Sequence, residues 1–458
     1  MVQKERIQKL NKQEINRKGS FIIYWMQASQ RTEYNHALNY AIEKANKNNK
    51  ALIVFFGLTG QFPEANERHY TFMLEGLQEV EKKLQKQNIK FIVKKGEPNK
   101  ELVKIAAEAA VIIVDRGYLR IEKQWRRYVS GKIACPLEQV ESNIIVPVET
   151  ASSKEEYAAY TIRPKIDKQL DQFLVPLSPK KVTKPSLEYD FASLQISPIS
   201  EIMSKLDIDK SVKSIDTIQG GTTEAKKQLE AFIETKLDKY DTNRNDPTLD
   251  YLSNMSPYLH FGQISPLYIA LKIQETTSPG KESYLEELII RRELSMNFVF
   301  YNTDYDVFEA ILPNWAKLTL SEHEKDTREY VYSLEEFEKA HTHAPYWNAA
   351  QEEMLYTGKM HGYMRMYWGK KILEWTETPE QAHNITLKLN NKYEIDGRDP
   401  NGYTGVAWCF GKHDRAWKER KIYGKVRYMN ANGLERKFAI EKYVKQVNEI
   451  KKNNQEKL

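Results

Sequence analysis

Residues 21–57 read FIIYWMQASQRTEYNHALNYAIEKANKNNKALIVFFG and contain two apolar runs on either side of a polar stretch. The runs FIIYWM (21–26) and ALIVFFG (51–57) are typical of buried strands, and HALNYAIEKANKNN (36–49) between them is typical of a helix. Two more runs predict strands downstream, namely KFIVKKG (90–96) and AAVIIVD (109–115). Because strands that alternate with helices indicate parallel βαβ units, we predict a doubly wound, Rossmann-like α/β sheet.

The N-terminal region carries no standard nucleotide-binding motif. Neither GxGxxG nor GxxxxGK[ST] follows any of the four apolar runs. These glycine patterns place backbone N–H groups against phosphates, so their absence argues against a dinucleotide fingerprint and against a P-loop. The residues alone are therefore also compatible with an α/β scaffold that has no activity of its own.

The second half of the chain has a different pattern. From about residue 175 to 215 the periodicity lapses and prolines accumulate, which is typical of a linker on the surface. Beyond it the apolar residues recur at helical spacing in the segments 222–240, 265–277, 281–301 and 363–375, and again from Ile440 to Ile450. We predict an α/β domain in residues 1–175, a linker in 176–215 and an all-helical domain in 216–458.

Composition excludes several classes of protein. The 458 residues contain 41% hydrophobic and 29% charged residues, which is too apolar for a disordered chain. No stretch approaches the roughly 18 consecutive apolar residues that a membrane span needs, and the charged N-terminus has no apolar signal region. Two cysteines fit a reducing cytoplasm, and the nine histidines form no HExxH motif, so no metal site is predicted.

A turn and a basic segment in the helical half have the chemistry of phosphate binding. Ser253, Asn254 and Ser256 precede Pro257, as at a helix start whose free N–H groups can hold a phosphate; an ordinary N-cap is the plainer interpretation. Residues 418–428 mix lysine and arginine with Tyr and follow Trp417, which suits nucleic acid as well as a solvated basic surface. The net charge of +6 does not decide between these alternatives.

Two further segments are richer in charged or aromatic residues than a plain helical core requires. In residues 285–298 charged residues are interleaved with apolar ones, for which a solvated ion-pair face is the plainer interpretation; because the apolar residues cover more than one face of the helix, some of the charges are expected to face a cavity. Trp368 and Trp375 lie seven residues apart on one predicted helix, about 10 Å by the rise per residue. Together with Trp347 they are compatible with core packing or with stepwise electron transfer between indole rings.

Four blocks together resemble the photolyase/cryptochrome family, and within it the class II cyclobutane pyrimidine dimer photolyases. The blocks are SNMSPYLHFGQIS (253–265), EELIIRREL (286–294), YWNAAQEEMLYTGKMHGYMRMYWGKKILEW (346–375) and LNNKYEIDGRDPNGYTGVAW (389–408). The resemblance runs from about residue 24 to 436. One departure is Ala28-Ser29, where the family pattern leads us to expect Arg-Asp.

The resemblance implies a light-driven DNA-repair enzyme with an antenna-type α/β domain and a helical domain that binds FAD. Electron transfer from excited, reduced FAD would repair a cyclobutane pyrimidine dimer that is flipped out of double-stranded, UV-damaged DNA. A second, deazaflavin-type antenna chromophore is expected in the α/β domain. The protein is expected to act as a cytoplasmic monomer without a membrane partner, associated with the nucleoid in a prokaryote.

The resemblance also implies roles for individual residues. Glu287 would hydrogen-bond the dimer, Asn390 would face flavin N5 with Asn401 as its competitor, and Arg365 would pair with Asp396 beside the flavin ring. The remaining residues implied for FAD binding are Tyr240, Leu252, Ser253, Asn254, Met255, Ser256, Arg291 and Asp399, with Glu287 included among them. The photoreduction chain would consist of Trp368, Trp347 and Trp375. The residues implied for dimer or DNA binding are Arg244, Met366, Trp408, Lys421 and Arg427.

Two other interpretations are compatible with the sequence. A cryptochrome-like blue-light receptor would keep FAD but signal through a partner. A helical nucleic-acid-binding protein with an α/β appendage would use its tryptophans only as core. Bound yellow chromophore would exclude the second of these interpretations, and light-dependent repair would exclude the first.

Overall fold

The computed structural model describes residues 2–455 and contains a six-stranded sheet in its N-terminal part. The strands are β1 (Ile7–Lys9), β2 (Phe21–Trp25), β3 (Ala51–Leu58), β4 (Lys90–Lys95), β5 (Ala109–Asp115) and β6 (Leu137–Val140). Their order is β1-β6-β5-β2-β3-β4, and every pair is parallel except β1 with β6. The predicted doubly wound α/β class is confirmed.

Helices cover both faces of this sheet. The four main ones are His36–Lys47, Glu67–Lys86, Pro98–Ala106 and Arg120–Ser130. All five residues of β2 are buried, because its alternate side chains enter two separate apolar clusters, one with Ile22 and Tyr24 and the other with Phe21 and Trp25. A strand that is buried on both faces is continuously apolar, which is why its sequence predicted it correctly.

The predicted linker covers an edge of the sheet. Residues 176–198 contain no helix or strand, and the backbone N–H of Leu194 donates to Val93 O at 2.8 Å, on the edge strand β4. Ser193 Oγ accepts from Val93 N at 2.9 Å. The helix Ile199–Lys205 then follows inside the predicted linker. The linker therefore protects an edge that would otherwise offer unpaired backbone groups; the boundaries at residues 175 and 215 remain a prediction.

The C-terminal half is helical, as predicted. Its main helices are Thr222–Thr235, Tyr240–Asn243, Ser256–His260, Pro266–Gln274, Lys281–Leu285, Arg292–Tyr301, Phe308–Ile311, Asn314–Glu322, Leu334–Glu338, Pro345–Thr357, Gly362–Glu374, Pro379–Tyr393, Pro400–Cys409, Ala431–Lys437 and Ile440–Gln455. Within residues 2–455, no helix combines the length and the apolar character needed to cross a membrane.

One predicted helix is interrupted by a π-helical segment. Residues 281–301 form an α-helix to Leu285, a π-helix over Glu286–Arg291 and an α-helix from Arg292 onward. A π turn contains more residues than an α turn, so the faces predicted from α periodicity do not continue through it. This irregular segment contains Glu287 and Arg291, and π turns in helices often mark functional sites.

Buried polar contacts fix the helical half against the α/β half. Arg292 Nη1 donates to Asn143 O at 2.6 Å, and Glu293 Oε1 accepts from Ile145 N at 2.5 Å. On another side, Arg68 Nη1 donates to Tyr393 O at 2.6 Å. Since all these groups are buried or nearly so, separating the two halves would leave them without partners.

Candidate active site

One face of the helix Pro400–Cys409 borders open space. Asn401, Gly405 and Trp408 are each only partly buried, and their spacing of four and three residues places them on the same side of the helix. A Cβ atom added to Gly405 would meet no atom within 4 Å. This face is therefore not packed into the core, and we call the space beside it the helical cleft.

An acidic and a basic side chain meet at one wall of the helical cleft. Arg244 Nη1 lies 2.8 Å from Glu287 Oε1, and the Arg244 guanidinium stands 5.6 Å from the centre of the Tyr240 ring. Burial lowers the pKa of Arg244, but attraction to Glu287 and Tyr240 outweighs it and raises the pKa overall. The structure thus brings together Arg244, Glu287 and Tyr240, which come from two segments of the sequence.

The same wall continues to Trp408. The Arg291 guanidinium stands 5.8 Å from the Trp408 ring, and Arg291 Nε lies 3.0 Å from Glu286 Oε1. Glu286 Oε1 also lies 2.7 Å from Arg163 Nη2. Glu286, the first residue of the π-helical segment, therefore pairs with Arg163 and Arg291, whereas Glu287 pairs with Arg244. Met366 lies nearby, with Sδ 4.0 Å from Cys409 Sγ on the helix that carries Trp408.

A second group of charges includes Arg365. Its Nη2 lies 2.9 Å from Glu394 Oε1, whereas no contact within 4.0 Å joins Arg365 to Asp396 in the described residues. The predicted Arg365–Asp396 pair is therefore replaced by an Arg365–Glu394 pair, because Glu394 directly ends the helix Pro379–Tyr393 and its longer side chain reaches the guanidinium. Asp396 still attracts Arg365 and helps to raise its pKa, against the lowering effect of burial.

Two polar atoms of this pair have no hydrogen-bond partner. Arg365 Nε and Glu394 Oε2 are buried and unpaired in the described part of the chain. Burial raises the pKa of Glu394 to about 8, although Arg365 opposes the shift. Unpaired buried groups are costly, so their presence beside a cleft is consistent with a bound polar ligand.

The turn from Ser253 to Ser256 lies next to a lysine. The helix Ser256–His260 starts here with Pro257 in its first turn, and Asn254 has a left-handed backbone with φ of 57°. Lys359 Nζ contacts Asn254 Oδ1. Leu252 and Ser253 are partly exposed, whereas Met255 is buried. A cation beside partly exposed N–H groups is the arrangement that binds phosphate.

The two asparagines that compete for the flavin differ in their partners. Asn401 Nδ2 donates to Asp399 Oδ1 at 2.9 Å, so its amide is already held. Asn390 is buried, and its side chain has one long hydrogen bond of 3.3 Å, from Nδ2 to Asn391 Oδ1, among the described residues. Asp399 caps its helix through Asn401 N and contacts His260 at 3.1 Å, so its carboxylate is used within the protein.

Three buried tryptophans form a continuous ladder. The ring centres of Trp368 and Trp347 are 6.3 Å apart with planes at 11°, and those of Trp347 and Trp375 are 6.1 Å apart at 66°. Trp347 Nε1 donates to Trp368 O, and Trp368 Nε1 donates to Gln351 Oε1. Trp347 thus lies between two rings that sequence spacing alone had placed about 10 Å apart.

The predicted basic segment forms a loop on the surface. Trp417 is 40% exposed, and the guanidinium groups of Arg415 and Arg427 stand 5.1 and 5.3 Å from its ring. Asp326 Oδ2 accepts from Ile422 N at 2.7 Å and so fixes the loop beside Lys421, whose side chain is exposed.

The sequence of this chain is similar to that of a known family of proteins. The DNA photolyase family model matches residues 22–185. The deoxyribodipyrimidine photo-lyase of Methanothermobacter thermautotrophicus is 54% identical over 98% of this chain and 99% of its own. The corresponding enzyme of Arabidopsis thaliana is 40% identical over 94% and 89%. The chain belongs to the DNA photolyase family. This membership confirms the class of enzyme predicted from the sequence, a flavoprotein that repairs DNA with light.

Solved photolyase structures share the fold of this family member. The class III photolyase of Agrobacterium tumefaciens has a TM-score of 0.72 at 18% identity and covers 94% of this chain and 86% of its own. The archaeal photolyase of Sulfolobus tokodaii with two FAD molecules has a TM-score of 0.71 at 17% identity, with coverage of 93% and 89%. At these identities the likeness concerns the fold.

The residues present in this photolyase fit FAD. The open face at Gly405, the unpaired Arg365 Nε and Glu394 Oε2, and the cation Lys359 beside the 253–256 turn provide space and polar partners. Sequence reasoning missed Lys359 and Glu394. Lys359 lies within the segment TGKMHG and Glu394 within KYEID, both of them in the blocks that carry the family resemblance. The sequence alone does not show that Lys359 contacts the 253–256 turn or that Glu394 pairs with Arg365.

A second cavity of the photolyase lies at the carboxyl ends of β2, β3 and β5. Its wall includes Gln27, Phe62, Trp125, Arg116 and His260. Ligands of parallel sheets bind at this end of the strands. We call it the sheet-end cavity, and Asp399 lines it as well.

Proposed function

We propose that the chain is a class II cyclobutane pyrimidine dimer photolyase that holds FAD in the helical cleft. The observations that carry this proposal are the open face at Gly405, the Arg365–Glu394 pair with its unpaired polar atoms, and the Arg244–Glu287 pair. When bound, reduced FAD supplies the light-driven electron that splits the dimer. The protein itself positions the two reactants and stabilises charge.

The flavin-binding roles follow the sequence prediction with two additions, Lys359 and Glu394. Asp399 is left out, because its carboxylate is already bonded to Asn401 N and His260. Tyr240, Leu252 and Met255 would border the ribityl chain, and the Ser253, Asn254 and Ser256 groups would bind its phosphates together with Lys359. Arg365, backed by Glu394 and Asp396, would lie along the ring, with Arg291 further along the wall. Asn390 is better placed than Asn401 to face N5, because its amide has only one long hydrogen bond and can both donate and accept.

Arg244, Glu287, Met366 and Trp408 would receive the flipped-out dimer. Trp408 and Met366 offer apolar surface to the pyrimidine rings, and Glu287 offers a carboxyl oriented by Arg244 at 2.8 Å. Because Arg244 already orients Glu287, the carboxyl would not have to rearrange when the dimer binds, which is the advantage of a preorganised site. The test of the whole proposal is light-dependent conversion of a dimer-containing duplex, measured against a dark control.

Replacement of Glu287 by alanine is expected to lower the repair yield and to leave FAD bound. A hydrogen bond to a charged group is worth about 1.5–3 kcal/mol, so we expect a loss of roughly tenfold in yield per absorbed photon. The flavin absorbance of the purified variant is the control. A yield equal to that of the unaltered enzyme would remove Glu287 from the dimer site.

Lys421 and Arg427 would bind DNA phosphates. Replacing Lys421 by alanine should weaken binding of dimer-containing DNA and reduce its salt dependence by about 0.9 in the slope of log K against log salt concentration. Lys184→Ala, an exposed lysine of the linker, is the matched control and should leave the slope unchanged. An unaltered slope in Lys421→Ala would mean that this lysine faces solvent in the complex.

The sheet-end cavity would hold the second, antenna chromophore. Its wall combines Trp125 and Phe62, which can stack on a planar pigment, with the cation Arg116. The two FAD molecules of the Sulfolobus tokodaii photolyase favour a second pigment in this fold. An absorption spectrum of the purified protein before and after denaturation separates FAD from a deazaflavin-type pigment. The partner of the enzyme would be UV-damaged duplex DNA, bound by a monomer.

A further inference from the structure

Four cationic side chains line a cavity between the helix Arg120–Ser130 and the sheet edge formed by β1 and β6. They are Arg116, Lys123, Arg126 and Arg127, and Phe300 of the helical half completes the wall. We call this space the basic cavity. Its volume of about 380 Å³ lies within the range of roughly 300–1,000 Å³ that is typical of small-molecule pockets. Arg127 is exposed, so the cavity is accessible from solvent.

Three of these cations come from one face of a single helix. Arg126 and Arg127 follow Lys123 by three and four residues, which places all three on the same side of the helix. Among the lining residues in the described part of the chain, Glu149 is the only carboxylate. Four cations against one carboxylate leave the wall with three positive charges in excess.

The carboxylate of Glu149 is already used by Arg116. Arg116 Nη2 lies 2.6 Å from Glu149 Oε2, and its Nη1 lies 3.3 Å from Glu141 Oε2. The Arg116 guanidinium also stands 4.8 Å from the centre of the Phe300 ring. Arg116 lines the sheet-end cavity as well, so the two cavities adjoin at this side chain. Because Arg116 is satisfied by its two carboxylates, the excess positive charge belongs to the other three cations.

Those three cations have no ionic partner. Within residues 2–455, no carboxylate oxygen lies within 4.0 Å of Lys123, Arg126 or Arg127. Arg126 is only 5% exposed; its Nη2 donates to Gly117 O at 2.7 Å, whereas its Nη1 is buried and has no partner in the same range. A buried donor without an acceptor is costly, so this guanidinium favours an anion in the basic cavity.

Lys123 is held in place and feels the excess charge. Its Nζ donates to Phe300 O at 3.0 Å, which fixes the ammonium at the wall. Burial and the repulsion of neighbouring cations lower the pKa of Lys123 to about 8, although one carboxyl opposes the shift. The charged groups that act on it are Arg126, Glu122, Arg116 and Arg120. An anion bound beside Lys123 would favour its charged form again.

We infer that the basic cavity binds the phosphate group of a small phosphate monoester of about the size of a mononucleotide. Such a phosphate carries nearly two negative charges at pH 7 and offers three acceptor oxygens, which suits three free cations better than the single charge of a carboxylate. The guanidinium groups of Arg126 and Arg127 can each hold two phosphate oxygens. The inference rests on this cavity alone and does not depend on the flavin site.

The test is isothermal titration calorimetry of the flavin-loaded enzyme with adenosine monophosphate (AMP). Bound flavin keeps the probe out of the helical cleft. The unaltered enzyme should bind one AMP per chain with a dissociation constant below about 1 mM. Inorganic phosphate should compete with AMP, and adenosine, which has no phosphate, should not bind.

Variants of the exposed and the half-buried cation locate the binding site. Arg127→Gln removes a side chain that has no ionic partner in the described residues and should weaken AMP binding roughly tenfold, as the loss of one charge-assisted hydrogen bond does. Lys123→Gln should have an effect of similar size. Arg17→Gln, at an exposed arginine outside the basic cavity, is the matched control and should bind AMP like the unaltered enzyme.

The pH dependence of binding tests the role of Lys123 separately. The second pKa of a phosphate monoester is about 6, so AMP keeps the same charge between about pH 7.5 and about pH 9. Over this range Lys123, with a pKa of about 8, loses its proton, and the affinity of the unaltered enzyme for AMP should fall roughly fivefold. In Lys123→Gln the affinity should be the same at both pH values.

Three results would overturn the inference. The first is no binding of AMP or inorganic phosphate at millimolar concentration. The second is equal affinity for AMP in the unaltered enzyme, Arg127→Gln and Lys123→Gln. The third is competition by undamaged duplex DNA, because the cavity would then belong to a surface that binds the DNA backbone. None of these results bears on the proposed function, since flavin content and light-dependent repair should be the same in Arg127→Gln and the unaltered enzyme.

Discussion

Trp368→Phe should abolish light-driven reduction of oxidised flavin and leave dimer repair by chemically reduced enzyme unchanged. The ring centres of Trp368 and Trp347 are 6.3 Å apart, and Trp368 is the member of the ladder that we propose to be nearest the flavin. Phenylalanine keeps an apolar ring in the site but is much harder to oxidise than indole. The excited, oxidised flavin would thus have no neighbouring side chain from which to take an electron.

The measurement is flavin bleaching under continuous blue light with a thiol present. Trp315→Phe is the control, because Trp315 lies outside the ladder and donates to Tyr157 Oη. Phenylalanine also leaves Gln351 Oε1 without its donor, so the melting temperature of the variant must be compared as well. Bleaching at the normal rate would show that electrons enter by a different route.

Arg365→Met is expected to destabilise the protein and to release the flavin. Arg365 and Lys359 are the cations that balance three neighbouring carboxyl groups, on Glu353, Glu394 and Asp396. Removing one partner of a largely buried ion pair costs about 3 kcal/mol of unfolding free energy at a pH where the remaining carboxyl is ionised, because that charge then stays buried. The measurement is urea unfolding together with the flavin content of the purified variant.

The pH dependence of this loss has a definite sign. Burial already raises the pKa of Glu394 to about 8 with Arg365 present, and the pKa should rise further without it. Between the pKa of Glu394 in the unfolded chain and its higher pKa in the folded protein, the folded protein binds a proton that the unfolded chain does not. The free energy of unfolding therefore falls as pH rises through this range. The variant should therefore lose more stability at about pH 9 than at about pH 6.

Two matched variants complete this test. Arg365→Lys keeps the charge and should retain most of the stability, and Arg365→Met with Glu394→Gln should recover part of the loss, because the unpaired carboxyl is gone. If Arg365→Met unfolds at the same urea concentration as the unaltered protein at both pH values, the Arg365–Glu394 pair does not support the cleft.

The sequence predicted those parts of the fold that depend on repeated apolar residues. The strands at 21, 51 and 109 are almost entirely apolar, the strand at 90 has three apolar residues between lysines, and all four were found. The two strands at the other edge, Ile7–Lys9 and Leu137–Val140, were missed because they are short and partly polar. The π-helical segment at Glu286–Arg291 was missed as well, since its sequence keeps the helical apolar pattern.

The sequence named most residues of the candidate site, but it did not predict which of these side chains contact each other. Family resemblance named Arg365 and Asp396, yet the side chain that reaches Arg365 is Glu394, two residues earlier in the turn. The spacing of Trp368 and Trp375 on one helix could not show that Trp347, from another helix, lies between them. Such pairings depend on how distant segments pack, which one sequence does not specify.

The most direct test of this account is a crystal structure of the flavin-loaded enzyme bound to a duplex with a single cyclobutane dimer. We expect the flavin ring in the helical cleft against Arg365 and Asn390, its phosphates at Ser253–Ser256, and the flipped-out dimer in contact with Glu287. Flavin bound elsewhere, or a dimer that does not reach Glu287 and Trp408, would contradict it.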